Sequence, residues 1–306
     1  MAGHLGVVHL VREINGLEPF ERFLASYEAM PAGIEHKLIV LCKGFPQDTL
    51  PGTYLERLVS HDPTVLMVED DGFDIGPYWI AARQLNLDTF CFLNSFSVIR
   101  DQGWLAKLVG HLGPSIGAVG ATGSWASHSS RAVKNMWTAM FLPPWKEAPL
   151  PLPQRRMSLR DRAWLVKRSF ETRRIFPPFP NVHLRTNAFV MRRDVMLMVD
   201  VGHLSTKDDA WGFESGRTGL TRQLMSRDLD VLVVGRDGHA YPPQEWPQSC
   251  TFHAGDQQNL LVSDNQTEKF MALPPDIRTQ WGHDTWGASQ SRAEPVPGGH
   301  LSEPLP

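Results

Sequence analysis

The chain is poor in cysteine. Cys42, Cys91 and Cys250 are scattered over 306 residues, two of them inside apolar runs. Such spacing supports neither a disulfide framework nor a zinc site, and it favours a reducing compartment. Long hydrophobic runs are also missing. No stretch approaches the ~20 apolar residues that a membrane-spanning helix needs. The opening MAGHLGVVHLVREING is too short and too soon charged for a secretory signal. Charge of one sign is not in excess: the formal net charge is −3, so no global field announces a nucleic-acid partner. The segment GAVGATG departs from the dinucleotide fingerprint, and no GxxxxGK[ST] loop occurs. These absences lead us to expect a soluble cytoplasmic protein, with peripheral contact at the inner face of a membrane left open.

What the chain does have is apolar material: 42% of its residues are hydrophobic, enough for a large core. The apolar runs alternate with segments of helical spacing. LGVVHLV (5–11), HKLIVLCKG (36–44), TVLMVEDDG (64–72) and FCFLNS read as buried strands. EPFERFLASYEAM (18–30), TYLERLVS (53–60), DIGPYWIAARQL (74–85) and GWLAKLVGHL (103–112) read as helices. Continuous apolar strands that alternate with helices predict an α/β fold, a mostly parallel central sheet covered by helices on both faces.

Further on, SIGAVGATGSW (115–125) is a strand that breaks into small residues, and 143–180 holds a Pro-rich connector followed by a strongly basic helical stretch. NVHLRTNAFVMRRDVM (181–196) enters a helix from a strand, 208–229 contains another helix, and DVLVVGRDG (230–238) is the last clear strand. We expect one domain over 1–281. Its donor half covers about 1–125 and its acceptor half about 126–281, with a disordered tail over 282–306.

In such sheets ligands bind at the carboxyl ends of the strands. That rule collects Arg12-Glu13, Lys43, Glu69-Asp70-Asp71 and Asn94-Ser95 on one rim.

The order of elements over roughly residues 5–240 resembles a GT-A-fold glycosyltransferase of the family-2-like group. Four segments carry the resemblance: VREINGLEPFERFLASY, AARQLNLDTFCFLNSFSVI, GWLAKLV and WGFESGRTGLTRQLMSRDLDVLVV. It implies a Rossmann-like nucleotide-binding half, a nucleotide-sugar donor (UDP-, GDP- or dTDP-linked) and transfer to an acceptor hydroxyl. It also implies a metal-binding Asp-x-Asp after the fourth strand. Here those positions read Asn94-Ser95-Phe96. Mg²⁺ and Mn²⁺ prefer hard, charged oxygens, and Phe96 has none. If a metal binds, the candidate ligands are Asp70, Asp71 and Asn94.

Within that resemblance the residues sort by chemistry. Glu214, in GFESGR, is the first candidate for the base that inversion needs, with Asp209 next and Asp208, His183 and His253 behind. The competing reading of Glu214 is a first-turn carboxylate that balances a helix dipole. Glu13, Asp70, Asp71 and Asp74 are candidates for a ribose diol or a base N–H. EDDGFD could equally be a solvated turn that caps the next helix. Asn94 and Ser95 complete the donor side. A metal-poor site would hold the diphosphate with Lys43, Arg83, Arg185 or Arg217. Trp125 and Trp211 offer stacking faces for an acceptor sugar. In HLRTNAF, the polar triplet Arg185-Thr186-Asn187 interrupts an apolar run, as a strand opening onto a cleft would. GDQQNLLVSDNQTEKF (255–270) reads as a lid or a polar loop.

Residues 155–174 carry eight Lys/Arg against two acids, with Leu159, Trp164 and Phe170 among them. An anionic membrane surface, a lipid-diphosphate acceptor or nucleic-acid phosphates would each suit this segment. We therefore expect a glycosyltransferase acting on a glycan, glycolipid or other acceptor hydroxyl, in surface-polysaccharide or other glycoconjugate synthesis. The rivals are an inactive nucleotide- or glycan-binding relative and a transferase acting on modified DNA.

Overall fold

The computed structural model describes residues 5–46, 49–141 and 158–288. Its strands are β1 (Leu5–Arg12), β2 (Lys37–Lys43), β3 (Thr64–Val68), β4 (Thr89–Leu93), β5 (Val98–Ile99), β6 (Ile116–Gly120), β7 (Gly123–Ser124), β8 (His183–Leu184), β9 (Ala188–Arg192), β10 (Asp230–Val234), β11 (Ala240–Tyr241) and β12 (Val262–Ser263). Its helices are α1 (Glu18–Ala29), α2 (Gly52–Leu58), α3 (Ile75–Gln84), α4 (Trp104–Val109), α5 (His128–Phe141), α6 (Leu159–Ile175), α7 (Arg193–Met198), α8 (Lys207–Ser215), α9 (Leu220–Met225), α10 (Asn265–Met271) and α11 (Pro275–Trp286).

Eight strands form one sheet in the order β3-β2-β1-β4-β9-β6-β10-β11. Six run parallel. β9 is antiparallel to both neighbours, and β11 is antiparallel to β10. Alternation along the strands divides the core in two. Val8, Leu10, Ile39, Leu41, Phe90 and Phe92 face Tyr78 and Trp79 of α3 together with α7 and α9. Val7, Val11, Val40, Cys42, Cys91 and Leu93 face Phe20 and Phe23 of α1, Tyr54 of α2 and Trp104 of α4. A strand apolar on both faces must be covered on both, and this is the layered sheet expected from the sequence.

Register positions the rim. Arg12 lies opposite Lys43, and Lys43 lies opposite Val68. The residues that follow these three strands therefore leave the sheet at one level.

Several boundaries differ from the sequence reading. The helix expected over 208–229 divides into α8 and α9. At Gly216 an added Cβ would lie 2.3 Å from the Gly212 carbonyl oxygen, and at Gly219 it would lie 2.7 Å from that of Phe213. The chain turns there because only glycine fits. Order also continues past residue 281: α11 runs to Trp286, which is buried and donates from Nε1 to the Phe252 carbonyl at 2.7 Å. The segment 255–270 is neither lid nor loop. It contributes β12, which pairs with β5, and α10, capped by Asp264. Of the Pro-rich connector, 143–157 lies outside the described residues, as does 289–306 of the expected tail.

Candidate functional site

The rim begins with two cations. Lys43, at the end of β2, has a side chain only 2% exposed, and its Nζ donates to the Phe73 carbonyl at 2.5 Å. Asp70 Oδ1 lies 3.4 Å from both Lys43 Nζ and Arg12 Nη2. Burial lowers the pKa of Lys43, and the neighbouring Arg12 lowers it further, while Asp70 and Asp74 pull it back up. Asp74 closes this group at the start of α3. Burial raises its pKa, Arg12 and Lys43 oppose that, and the charge of Glu214 adds to it. Asp74 thus feels both the cation pair and Glu214.

Glu214 is positioned from the other half of the sheet. Its Oε2 accepts from the Thr186 backbone N–H at 2.9 Å and from the Thr186 hydroxyl at 2.6 Å. No other hydrogen bond engages this carboxylate among the described residues, so Oε1 is left for a ligand. His183 lies close by. Its Nδ1 meets the Asn181 carbonyl at 2.7 Å, and burial holds its pKa down against the attraction of Glu214. Burial disfavours the charged imidazolium, which makes His183 a weak proton acceptor beside Glu214.

The triplet 185–187 is the link between the two sides. It connects β8 to β9, and its three side chains go three ways. Arg185 turns inward to Asp264 Oδ2 at 2.7 Å and stacks over Phe252 at 4.2 Å. Thr186 holds Glu214. Asn187 accepts from the Thr122 hydroxyl at 2.7 Å, and its carbonyl accepts from the Asn94 backbone at 2.8 Å. Two buried polar atoms here have no partner among the described residues, Ser95 Oγ and Asn187 Nδ2. Buried polar atoms are rarely left unpaired, so a ligand or water that completes them fits the site.

The positions of the Asp-x-Asp form a self-contained turn. Asn94 Oδ1 accepts from the Phe96 backbone at 3.1 Å and from the Ser97 hydroxyl at 3.0 Å. Its one good metal donor is therefore already used twice. No group of three or more His, Cys, Asp or Glu side chains is arranged to hold a metal among the described residues. Asp70 is held by the two cations, and Asp71 Oδ1 accepts from the Gly72 backbone at 2.7 Å. The donor set does not fit a divalent ion.

Other candidates stand apart. Arg83 is exposed in the last turn of α3, at the end of the sheet away from the rim. Asp209 is the capping-box carboxylate of α8 and accepts from the Thr206 backbone at 2.7 Å. It lies five residues before Glu214, ~7.5 Å along the helix axis. Asp208 pairs with Arg168 at 2.7 Å. Glu13 and Asp71 are exposed at the edge of the rim. Trp125 donates to the Pro243 carbonyl at 3.0 Å and packs edge-on against Trp286. It is a wall of the fold. Trp211 is covered by His128, stacked at 5.1 Å, and by Lys207 at 5.0 Å. Arg217 is exposed, 3.4 Å from the Arg173 carbonyl, and lines a separate cleft of about 530 Å³ with Arg222 and Arg227. His253 is buried under Phe252 and Phe270.

Sequence reasoning placed Arg12 on the rim but chose its neighbour Glu13. Strand alternation could have settled the choice, because the last paired residue of β1 is Arg12. Asp264 was missed although SDNQT carries a capping pattern, with Thr267 three residues on.

No family profile matches the sequence, and no curated protein matches it either. Solved structures do match in three dimensions. A mannosyltransferase, PcManGT from Pyrobaculum calidifontis, in complex with GDP-Man and Mn²⁺, is 14% identical, with a TM-score of 0.43, covering 96% of this chain and 74% of that one. A 4-diphosphocytidyl-2C-methyl-D-erythritol synthase from Anaerococcus prevotii is 11% identical, with a TM-score of 0.39 over 76% of this chain and 89% of that one. A glucosyl-3-phosphoglycerate synthase from Mycobacterium tuberculosis, with Mn²⁺, uridine diphosphate and phosphoglyceric acid, is 15% identical. Its TM-score is 0.33, covering 63% of this chain and 56% of that one. All three scores are below 0.5, and the functional reading rests on the chain's own residues.

Proposed function

We propose that the protein transfers a sugar from a nucleotide-activated donor to a hydroxyl of a glycan or lipid-linked acceptor, with inversion. One observation supports this above others. Glu214 is held through one oxygen by Thr186, and Asp74 feels the charges of both Glu214 and the cations Arg12 and Lys43. A base beside a cation pair, at the carboxyl ends of parallel strands, suits displacement of a diphosphate.

In this reading Oε1 of Glu214 takes the proton of the acceptor hydroxyl. The acceptor oxygen bonds to the anomeric carbon as the bond from that carbon to the diphosphate oxygen breaks. Charge develops on the departing diphosphate, where Arg12 and Lys43 stabilise it. Asp70 and Asp74 suit hydrogen bonds from a ribose diol or a base N–H. Ser95 Oγ and Asn187 Nδ2 are unpaired groups suited to sugar hydroxyls. No step passes through a metal, because the residues at the Asp-x-Asp positions do not fit one. The pathway we favour is synthesis of a surface polysaccharide or another glycoconjugate.

The test is a thermal-shift panel of UDP-, GDP- and dTDP-sugars in EDTA, followed by donor hydrolysis. A ligand bound only by the folded state raises the melting temperature. We expect a shift with one donor class, and slow hydrolysis of that donor that Glu214→Gln abolishes while the shift persists. No shift with any donor, with or without Mn²⁺, would favour an inactive relative. Hydrolysis that survives Glu214→Gln would remove Glu214 as the base.

A further inference from the structure

The strongest unexplained surface is the outer face of α5 and α6, which pack against each other. The inner side of α6 is marked by its buried residues, Leu165, Ser169 and Thr172. At 100° per residue, Leu159, Trp164 and Phe170 project from the opposite side, and they are 86%, 60% and 61% exposed. Arg160, Lys167 and Arg174 share that side. α5 adds Trp137 and Phe141, stacked on one another at 5.5 Å and 49% and 73% exposed. Monomeric proteins rarely leave so many large apolar side chains together in water.

The charge around this patch is mostly positive. α6 carries six Lys/Arg and two acids, in a chain whose net charge is −3. Both acids are already engaged: Asp161 holds the capping box, and Glu171 lies 3.8 Å from Lys167. No ion pair involves Arg160, Arg173 or Arg174 among the described residues. Aromatic side chains between free cations match the boundary between lipid headgroups and acyl chains. Nucleic-acid phosphates would satisfy the cations but leave Leu159 and Phe170 without a purpose.

We infer that the outer face of α5 and α6 docks on an anionic lipid bilayer, with Trp137, Phe141, Leu159, Trp164 and Phe170 entering the headgroup region. The helix pair is tied to the candidate base. Arg168 of α6 pairs with Asp208 at the start of α8, His128 of α5 stacks on Trp211 of α8, and α8 ends with Glu214 and Ser215. Docking would hold the Glu214 side of the site toward the bilayer, where a lipid-linked acceptor resides. The orientation rests on the transferase reading; the docking does not.

The experiment is co-sedimentation of the full chain with vesicles of phosphatidylcholine alone and of phosphatidylcholine with phosphatidylglycerol, at low and high salt. Two triple variants accompany it: Arg160→Gln/Lys167→Gln/Arg174→Gln and Leu159→Ser/Trp164→Ala/Phe170→Ala. All six residues are on the surface, so melting temperatures are expected to stay close to that of the unmodified protein. We expect binding to the anionic vesicles only. The charge variant is expected to bind about a hundredfold more weakly, since each surface cation is worth roughly fivefold. The apolar variant is expected to lose binding at high salt. Failure to bind anionic vesicles overturns the inference, and so does full binding by either variant. Duplex DNA captured with the same salt dependence, in the absence of vesicle binding, would assign the face to nucleic acid instead. None of these outcomes depends on sugar transfer, so docking and the transferase reading can fail separately.

Discussion

Glu214 and Thr186 are joined twice, through the Thr186 backbone N–H at 2.9 Å and its hydroxyl at 2.6 Å, both onto the same carboxylate oxygen. Both donors come from the turn that joins β8 to β9, so the carboxylate is held by a rigid part of the sheet. One oxygen is fixed, and the other has no hydrogen bond among the described residues.

The first prediction separates those roles. Glu214→Gln keeps an acceptor for Thr186 but cannot take a proton. Transfer is expected to fall ~10²–10⁴-fold, with donor affinity unchanged. Thr186→Val keeps the backbone bond and removes the hydroxyl bond. A hydrogen bond to a charged group is worth ~1.5–3 kcal/mol, so kcat is expected to drop roughly ten- to a hundredfold with little change in KM. Steady-state kinetics of both variants provide the check. A Thr186→Val enzyme whose kcat is unaltered would mean that the hydroxyl does not position the base.

The second prediction concerns the cation pair. Lys43→Met preserves much of the buried volume and leaves Asp70 paired with Arg12. Asp70 is 53% exposed, so the cost to folding is small. Donor binding is expected to weaken about ten- to a hundredfold, as for the loss of one charge-assisted hydrogen bond. The binding that remains is expected to be the same in EDTA and in Mn²⁺. Titration calorimetry with the donor found in the thermal-shift panel would check both points. Binding that appears only with Mn²⁺ would contradict the reading that Asn94, Ser95 and Phe96 do not suit a metal.

A third prediction follows from the tie between Arg185 and Asp264. Their side chains are 11% and 1% exposed. Asp264 also accepts from the backbones of Gln266 and Thr267, at 3.1 and 2.9 Å, and so begins α10. Asp264→Ala strands a buried guanidinium and uncaps a helix. Breaking a buried pair costs ~3–5 kcal/mol. Asp264→Asn keeps the cap and is expected to cost less. Urea denaturation would show a lower midpoint with an unchanged slope. A loss under ~1 kcal/mol in the alanine variant would mean that water replaces the carboxylate.

The layers of the fold were legible because strand patterning is local. Val7 to Val11, apart from His9, and Leu38 to Cys42 are apolar on both faces, as strands of a sheet covered on both sides are. The site was half legible. Lys43, Asp70 and Asp74 could be chosen because each ends or follows a strand or begins a helix; Glu214 read as a first-turn carboxylate, but it stands in the last turn of α8, where the helix dipole does not favour it. Their partners could not be chosen. Thr186 meets Glu214 across 28 positions, and Arg185 meets Asp264 across 79. No local period encodes such pairs. Asp209 misled because an acid in the first turn of a helix reads the same whether it caps or catalyses. α5 went unread because its outward face carries Trp137 and Phe141, which blur the apolar stripe that marks a buried helix side.

The last prediction is set by His9. Its ring is fully buried, stacked on Phe23 at 3.6 Å, and neither nitrogen has a partner among the described residues. Burial pushes its pKa from 6.5 down to about 3. The unfolded chain binds a proton below 6.5 that the native state refuses until about 3. Stability from this group is therefore full above pH 6.5 and declines as the pH falls from there toward 3, by up to ~1.4 kcal/mol per unit. Burial also pushes His128 down, to about 4, and gives a slope of the same sign. Burial lowers His183 and His253 as well, so His9→Leu removes one of four contributions of the same sign. Between pH 7.5 and 5 the unmodified protein is expected to lose roughly 2 kcal/mol more than His9→Leu, measured by urea denaturation at each pH. At pH 7.5 the variant is expected to be close to neutral, because no hydrogen bond is lost and an unpaired polar ring leaves the core. Identical losses in the two proteins would mean that His9 finds a proton partner in the native state, and the acid sensitivity would then belong to His128, His183 and His253.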